Sequence, residues 1–94
     1  MTETTVTDVR FIPAKPELRA TGMRGWASCI VDGKWRFDSM SVRRGRDGRY
    51  RLAFPTRTDA NGVEHALYLP TERATTDAIE DAVLAEVRRR GFIS

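Results

Sequence analysis

Apolar side chains recur at every second position along much of the first seventy residues. That period marks strands, because successive side chains of an extended chain point to opposite faces. Thr5 to Ile12 carries Val6, Val9, Phe11 and Ile12 and reads as a first strand. Pro13 and Pro16 stop it and frame a short loop. Gly22 to Val31 is a second strand, with Trp26 and Ile30 on one face and Met23, Ala27, Cys29 and Val31 on the other. Asp32-Gly33 follows. Two residues that tolerate positive φ between strand-like runs signal a type I′ hairpin. The return strand, from Lys34 to about Val42, puts Trp35, Phe37 and Ser39 on the core side and Lys34, Arg36, Asp38 and Met40 opposite. Gly45 and Gly48 permit a tight reversal. Arg49 to Phe54 is a fourth strand, with Tyr50, Leu52 and Phe54 toward the core and Arg49 and Arg51 away from it. Asp59 to Gly62 form a turn. Val63 to Leu69 is a fifth strand, with Val63, His65, Leu67 and Leu69 on one face and Ala66 and Tyr68 on the other.

The period changes after Pro70. Ile79, Ala82, Val83 and Val87 fall at i, i+3, i+4 and i+8, an apolar stripe on a helix. Thr76 or Asp77 can cap its start, and Asp77 with Glu80 approximates a capping box. Glu80 and Asp81 suit the positive end of the helix dipole. Arg88 to Arg90 suit the negative end, and Gly91 fits the C′ position. Glu86 interrupts the stripe and must either reach past the rim or meet an arginine. The predicted fold is α+β: an antiparallel sheet of about five strands, a meander with the Asp32-Gly33 hairpin, covered by one C-terminal helix.

Size and composition narrow the class. The chain has 94 residues, room for one domain. Residues 1–4 are polar and expected to be loose. With 40% apolar and 31% charged residues, the chain is globular in composition. No stretch approaches the ~20 apolar residues of a membrane span. The N-terminal MTETTVTDV has neither the basic nor the apolar segment of a secretory leader. The one cysteine, Cys29, excludes an internal disulfide and sits in an apolar run, the place of a buried core thiol. A cytoplasmic protein is expected. So short a chain buries a limited fraction of its surface, and dimerisation would add to it.

Charge is segregated along the chain. From Lys34 to Arg57, eight basic residues oppose only Asp38 and Asp47. From Thr58 to Val87, seven acids oppose only Arg73. Arginine outnumbers lysine fourteen to two. Its planar fork suits phosphates and carboxylates. The asymmetry points to an anionic partner or to the chain's own acidic helix.

Catalytic and cofactor chemistry finds little to work with. Nucleophilic catalysis by Cys or Ser needs a base, and His65 is the one histidine. Its strand position favours a partly buried structural role. One His and one Cys do not make a zinc site. Gly45-Arg46-Asp47-Gly48 lacks the Lys-Ser/Thr of a phosphate loop. Glu80 and Asp81 diverge by about 100° on a helix and read as solvated residues of its first turn. No catalytic residue, cofactor, metal or small-molecule substrate is expected. Phosphate binding has better material. Arg43, Arg44 and Arg46 share a loop, Arg49 and Arg51 project from one face of the following strand, and Arg57 follows Pro55. Such a ridge of guanidinium groups contacts phosphates without reading sequence. Tyr68 is the aromatic placed opposite the core.

The chain also resembles a known family. Val6 to Arg10, Arg57-Thr58, Gly62, Pro70 and the helical run Asp81-Ala82-Val83-Leu84-Ala85-Glu86 are similar to the SpoVG family, named for stage V sporulation protein G. The resemblance implies a small bacterial α+β protein that dimerises and binds DNA or RNA. It also implies a regulatory role, in some bacteria tied to septation or sporulation. This chain departs from the pattern at two places. Thr56 stands where the family's loop usually has a second basic residue. Thr76, Asp77 and Ala78 occupy a helix start that tends to be basic in the family. The expected function is therefore a homodimeric nucleic-acid-binding regulator whose phosphate contacts come from Arg43, Arg44, Arg46, Arg49, Arg51 and Arg57. The alternative is an interaction module whose basic sheet docks an acidic protein or a neighbouring subunit.

Overall fold

Four antiparallel strands lie side by side in sequence order: β1 (Val6–Pro13), β2 (Met23–Val31), β3 (Trp35–Arg44) and β4 (Tyr50–Ala53). A single helical turn, α1 (Pro16–Arg19), joins β1 to β2. A separate two-stranded ribbon follows, β5 (Thr56–Thr58) and β6 (Glu64–Ala66), and then α2 (Arg73–Arg89). These elements belong to a computed structural model that describes residues 3–93. The α+β class is as the hydrophobic pattern indicates. The single five-strand meander is not: the last strand pairs with β5 in a ribbon of its own instead of extending the sheet. Of residues 1–4, Met1 and Thr2 lie outside the described residues, while Thr4 Oγ1 donates to Thr75 Oγ1 at 3.4 Å.

The Asp32-Gly33 hairpin forms as its residues dictate. Asp32 has φ 54 and Gly33 φ 69, the paired left-handed geometry of a type I′ turn. Asp32 then ties the hairpin to β1: its amide donates to the Thr5 carbonyl at 2.8 Å, and its Oδ1 accepts the Thr5 amide at 2.9 Å.

Bulges decide which residues reach the core. Across β2 and β3, Ala27 pairs with Met40 but Cys29 pairs with Phe37, so β3 holds one extra residue between these pairs. Ser39 lies in that interval at φ 61, and its amide donates to Asp38 Oδ1 at 2.7 Å. The extra residue reverses the alternation. Phe37 packs on the core before the bulge, and Met40 and Val42 pack there after it, both 0% exposed. The expected placement of Met40 opposite the core is thus corrected, because an unbroken period of two cannot register the inserted residue. Trp35, expected inside, is 59% exposed beyond the sheet's covered area. A second bulge does the same on β1. Thr7 pairs with Ile30 and Arg10 with Ser28, leaving an extra residue near Asp8, whose φ is 52. Val6 and the odd-numbered Val9 and Phe11 all pack on one core as a result. A third bulge, between Met23 and Gly25, detaches Met23 from the face of Ala27, Cys29 and Val31. Met23 is buried outside the helix-side cluster, beside Leu18 and Trp26.

The helix covers one face of the sheet. Ile79, Val83 and Val87 are fully buried against Phe11, Ala27, Cys29, Val31, Met40 and Val42. The stripe read from the sequence is therefore the buried one. Its helix begins earlier than expected, at Arg73 with Glu72 as N-cap, and no side chain caps it. The Thr76 hydroxyl and amide both donate to the Glu72 carbonyl, at 3.3 and 3.2 Å, so Thr76 acts inside the first turn. Asp77 is likewise internal and pairs with Arg73 at 3.4 Å. The C-terminus follows the sequence. Gly91 has φ 82, its amide donates to the Arg88 carbonyl at 3.0 Å, and the Phe92 amide donates to the Val87 carbonyl at 3.2 Å. This pair of bonds is a Schellman motif. It turns Phe92 onto Phe11 with ring centroids 5.3 Å apart and leads to the buried Ile93.

α2 lies against β1, β2 and β4, and its buried side chains share the core with Met40 and Val42 of β3. Among the described residues, the opposite face carries no long helix; only the single turn α1 lies against it, with Leu18 beside Met23 and Trp26.

Candidate nucleic-acid interface

The six arginines expected from the sequence divide among the sheet, the turn between β3 and β4, and the ribbon. Arg43 and Arg51 are paired directly across β3 and β4. Both follow the alternation of Ser41 and Ala53, which puts them on the uncovered face of the sheet. Arg44 pairs with Tyr50, a residue on the helix side, so it points the other way at the sheet's end. Arg46 and Arg49 belong to the β3–β4 turn, closed by bonds from the Gly45 amide to the Arg49 carbonyl at 2.7 Å and from the Gly48 amide to the Gly45 carbonyl at 3.0 Å. Arg57 lies in the ribbon opposite His65. The first five thus gather at one corner, and Arg57 stands apart from them on another element.

All six are exposed. Asp47 is the acid within this corner. Its Oδ1 accepts the Arg49 amide at 3.0 Å and its Oδ2 accepts Arg51 Nη2 at 2.9 Å. The Arg49 amide first, and the Arg51 guanidinium beside it, hold the Asp47 carboxyl below the usual carboxylate range. Arg43, Arg44, Arg46 and Arg57 form no ion pair with a described acid. Arginines directly opposite on one face sit about 4.5–5.5 Å apart at Cβ and repel one another.

The basic run at the end of α2 is spent differently. Arg89 makes a two-pronged contact with Glu86, at 2.8 and 2.6 Å, which answers the intrusion of Glu86 into the apolar stripe. That contact lowers the Glu86 carboxyl's pKa. Arg90 donates to the Phe11 carbonyl at 2.9 Å and lies over the Phe92 ring at 5.2 Å. These two cations hold the helix end to the sheet.

The uncovered face holds residues the sequence reading did not treat as a site. Ile12, Trp26, Ser41 and Ala53 form a continuous row across all four strands. Trp26 is 38% exposed at its middle and Ile12 67% exposed at its edge. Arg10 and Arg36 lie on this face too, paired with Ser28 and Ile30. The signal was available: Trp26 and Ile30 alternate against a buried set, and one helix covers one face only.

Expectations for the last strand reverse. Tyr68, placed opposite the core by alternation, packs against it instead. It packs with Phe37 and Phe54, centroids 5.1 and 6.0 Å away, and its hydroxyl donates to the Asp38 carbonyl. Burial pushes its pKa up. Val63, Leu67 and Leu69 are exposed instead. The ribbon leaves the sheet after Pro55, so the alternation of its second half is not set by the sheet's core. His65 is an exposed partner of Asp59, with Nε2 2.7 Å from Oδ2, and not a partly buried one. Asp59 Oδ1 accepts the Asn61 and Val63 amides at 2.8 and 3.0 Å. His65 first, and then the Val63 amide, lower the Asp59 pKa.

Cys29 is buried, and burial raises its thiol pKa. Among the described residues, no cluster of three His, Cys, Asp or Glu side chains is placed to hold a metal. No helix among them is long and apolar enough to cross a membrane. No protein-family model matches the chain, and no curated protein matches it either.

Proposed function

We propose that this chain is a non-catalytic, nucleic-acid-binding regulator of the cytoplasm, acting as a homodimer in the manner of the SpoVG family it resembles. The observation that carries the proposal is the basic corner. Arg43 and Arg51 are held directly opposite on an uncovered face, with Arg44, Arg46 and Arg49 around the turn beside them. One acid, Asp47, serves this group by ion pairing, and it engages Arg51. Crowded like charges cost stability, and a phosphate backbone relieves that cost by replacing mutual repulsion with shared attraction. The arrangement offers planar donors for phosphate oxygens and no base-reading helix, so affinity is mainly electrostatic. Arg57, on the ribbon, would add a contact apart from this corner.

The ribbon favours a second copy. Val63, Leu67 and Leu69 are more than half exposed on or beside a two-stranded element, which is marginal in water when alone. A partner subunit covering them would complete a larger core. The same exposed residues are the specific support for the alternative reading, a module that docks a different protein.

The test is binding to labelled DNA and RNA over a series of salt concentrations, comparing wild type with Arg44→Glu/Arg46→Glu. The wild-type affinity should fall with salt at a log–log slope of roughly −0.7 to −0.9 per phosphate contacted. The double variant should bind more weakly and with a shallower slope. Equal binding by both proteins would sink the assignment.

A further inference from the structure

We propose that the uncovered sheet face is a stacking platform for single-stranded nucleic acid, with Trp26 as the residue on which a base lies. The inference rests on the nucleic-acid reading above and assigns it a site and a strandedness.

Trp26 occupies the centre of β2, an inner strand of the sheet, and is 38% exposed. A central indole on a sheet normally has a covering element, and α2 covers the other face. Two hollows flank this side chain. One, of about 570 Å³, is lined by Leu18 and Met23, by Ser41, Arg43 and Ala53 of the sheet face, and by Thr56 and Glu64 of the ribbon. The second, of about 430 Å³, includes Arg10, Ile12, Ser28 and Arg36. Trp26 lines both, so it stands between two depressions, each with room for a base.

Charge complementarity names the occupant. Each hollow pairs the shared indole with arginine: Arg43 in the larger, and Arg10 and Arg36 in the smaller, where they outnumber Asp38. Arg51 adjoins Arg43 on the same face. A flat apolar ring bordered on both sides by planar cations suits a chain whose flat bases alternate with anionic links. An aliphatic peptide would leave Arg36 and Arg43 unanswered, since Arg10 already pairs with Asp8 and Arg51 with Asp47. A duplex would present phosphates to them but could not bring a base face to Trp26, because its bases are stacked on each other. Single strands satisfy both groups at once. Glu64, on the ribbon side, repels phosphate and directs the backbone toward the Arg43 end.

The experiment uses Trp35→Phe protein, so that the remaining tryptophan fluorescence comes from Trp26. The probes are a twelve-nucleotide oligothymidine and a mixed-sequence duplex of equal length, at low salt. The expected result is quenching of Trp26 by the single strand, little quenching by the duplex, and single-strand affinity at least tenfold lower in Trp26→Ala. Trp26→Phe, which keeps a ring, should retain most of the affinity and guards against loss of fold as the explanation. Unquenched Trp26 with equal oligonucleotide binding by wild type and Trp26→Ala overturns the platform. In that event, reduced binding by Arg44→Glu/Arg46→Glu would leave the nucleic-acid reading standing. Absence of binding to either probe overturns both.

Discussion

The Leu52 amide, on the unpaired edge of β4, donates to Glu80 Oε2 at 3.1 Å. A helix side chain thus closes one of the open donors that an edge strand presents. Glu80→Ala should lower unfolding stability by about 1–3 kcal/mol, because a part-buried amide to a charged acceptor loses its partner. Glu80→Gln keeps an oxygen in place and should cost less. Urea unfolding measures both, and exchange of the Leu52 amide should quicken in the alanine variant first. Unchanged Leu52 protection would mean that the edge is covered by other means.

Ser39 holds a left-handed backbone at φ 61, which a glycine adopts freely and a β-branched residue resists. Ser39→Val should destabilise by about 1–3 kcal/mol. Ser39→Gly should be neutral or stabilising by up to about 1 kcal/mol. Thermal unfolding gives the ordering, and valine as the more stable of the two would contradict the bulge.

Met40 and Trp35 exchange the roles that simple alternation assigns them. Met40→Ala should cost about 2–5 kcal/mol, the range for emptying a packed site. Trp35→Ala removes a larger side chain that is 59% exposed and should cost under about 1 kcal/mol. Chemical denaturation of the two variants decides between the bulged and the unbroken strand.

Acid should loosen the ribbon turn before the sheet. Asp59 has a folded pKa below its unfolded one, chiefly through His65. Its contribution is therefore complete above the ordinary aspartate pKa and is lost as pH falls through the lower, folded value. Exchange of the Asn61 and Val63 amides, both bound to Asp59 Oδ1, should accelerate across that acid window. Asp59→Asn should remove most of the pH dependence. Protection that stays constant through the window would show that the carboxylate does not hold the turn.

The legible parts of this fold are those set by neighbours in sequence. Asp32-Gly33 and Gly91 announce positive φ through residue type, and the Ile79, Val83 and Val87 stripe repeats at the helical period. The illegible parts come from one-residue insertions in register. Asp8 and Ser39 have no adjacent glycine to mark a reversal as Asp32 has, and their φ values go with one-residue insertions in the pairing with β2. Hence simple alternation misplaces Met40 but holds for Tyr50 and Leu52, which lie on an unbulged strand. The arginine corner was legible because charge clusters along the chain. The Trp26 row was less so, since it exists only once four strands are aligned. Which face stays open follows from counting helices, and which residues of separate strands meet there does not.

The bulge at Ser39 also makes the length of β3 meaningful to a single residue. Deleting Ser39 would not merely shorten a strand. With the Asp32-Gly33 turn fixing one end, the remainder would be turned inside out, presenting Met40 and Val42 to water and drawing Ser41 and Arg43 toward the helix. A one-codon loss in the middle of this strand should therefore be harsher than most substitutions along it. Insertions in the exposed β3–β4 turn, which lies beyond the last core pair, should be tolerated.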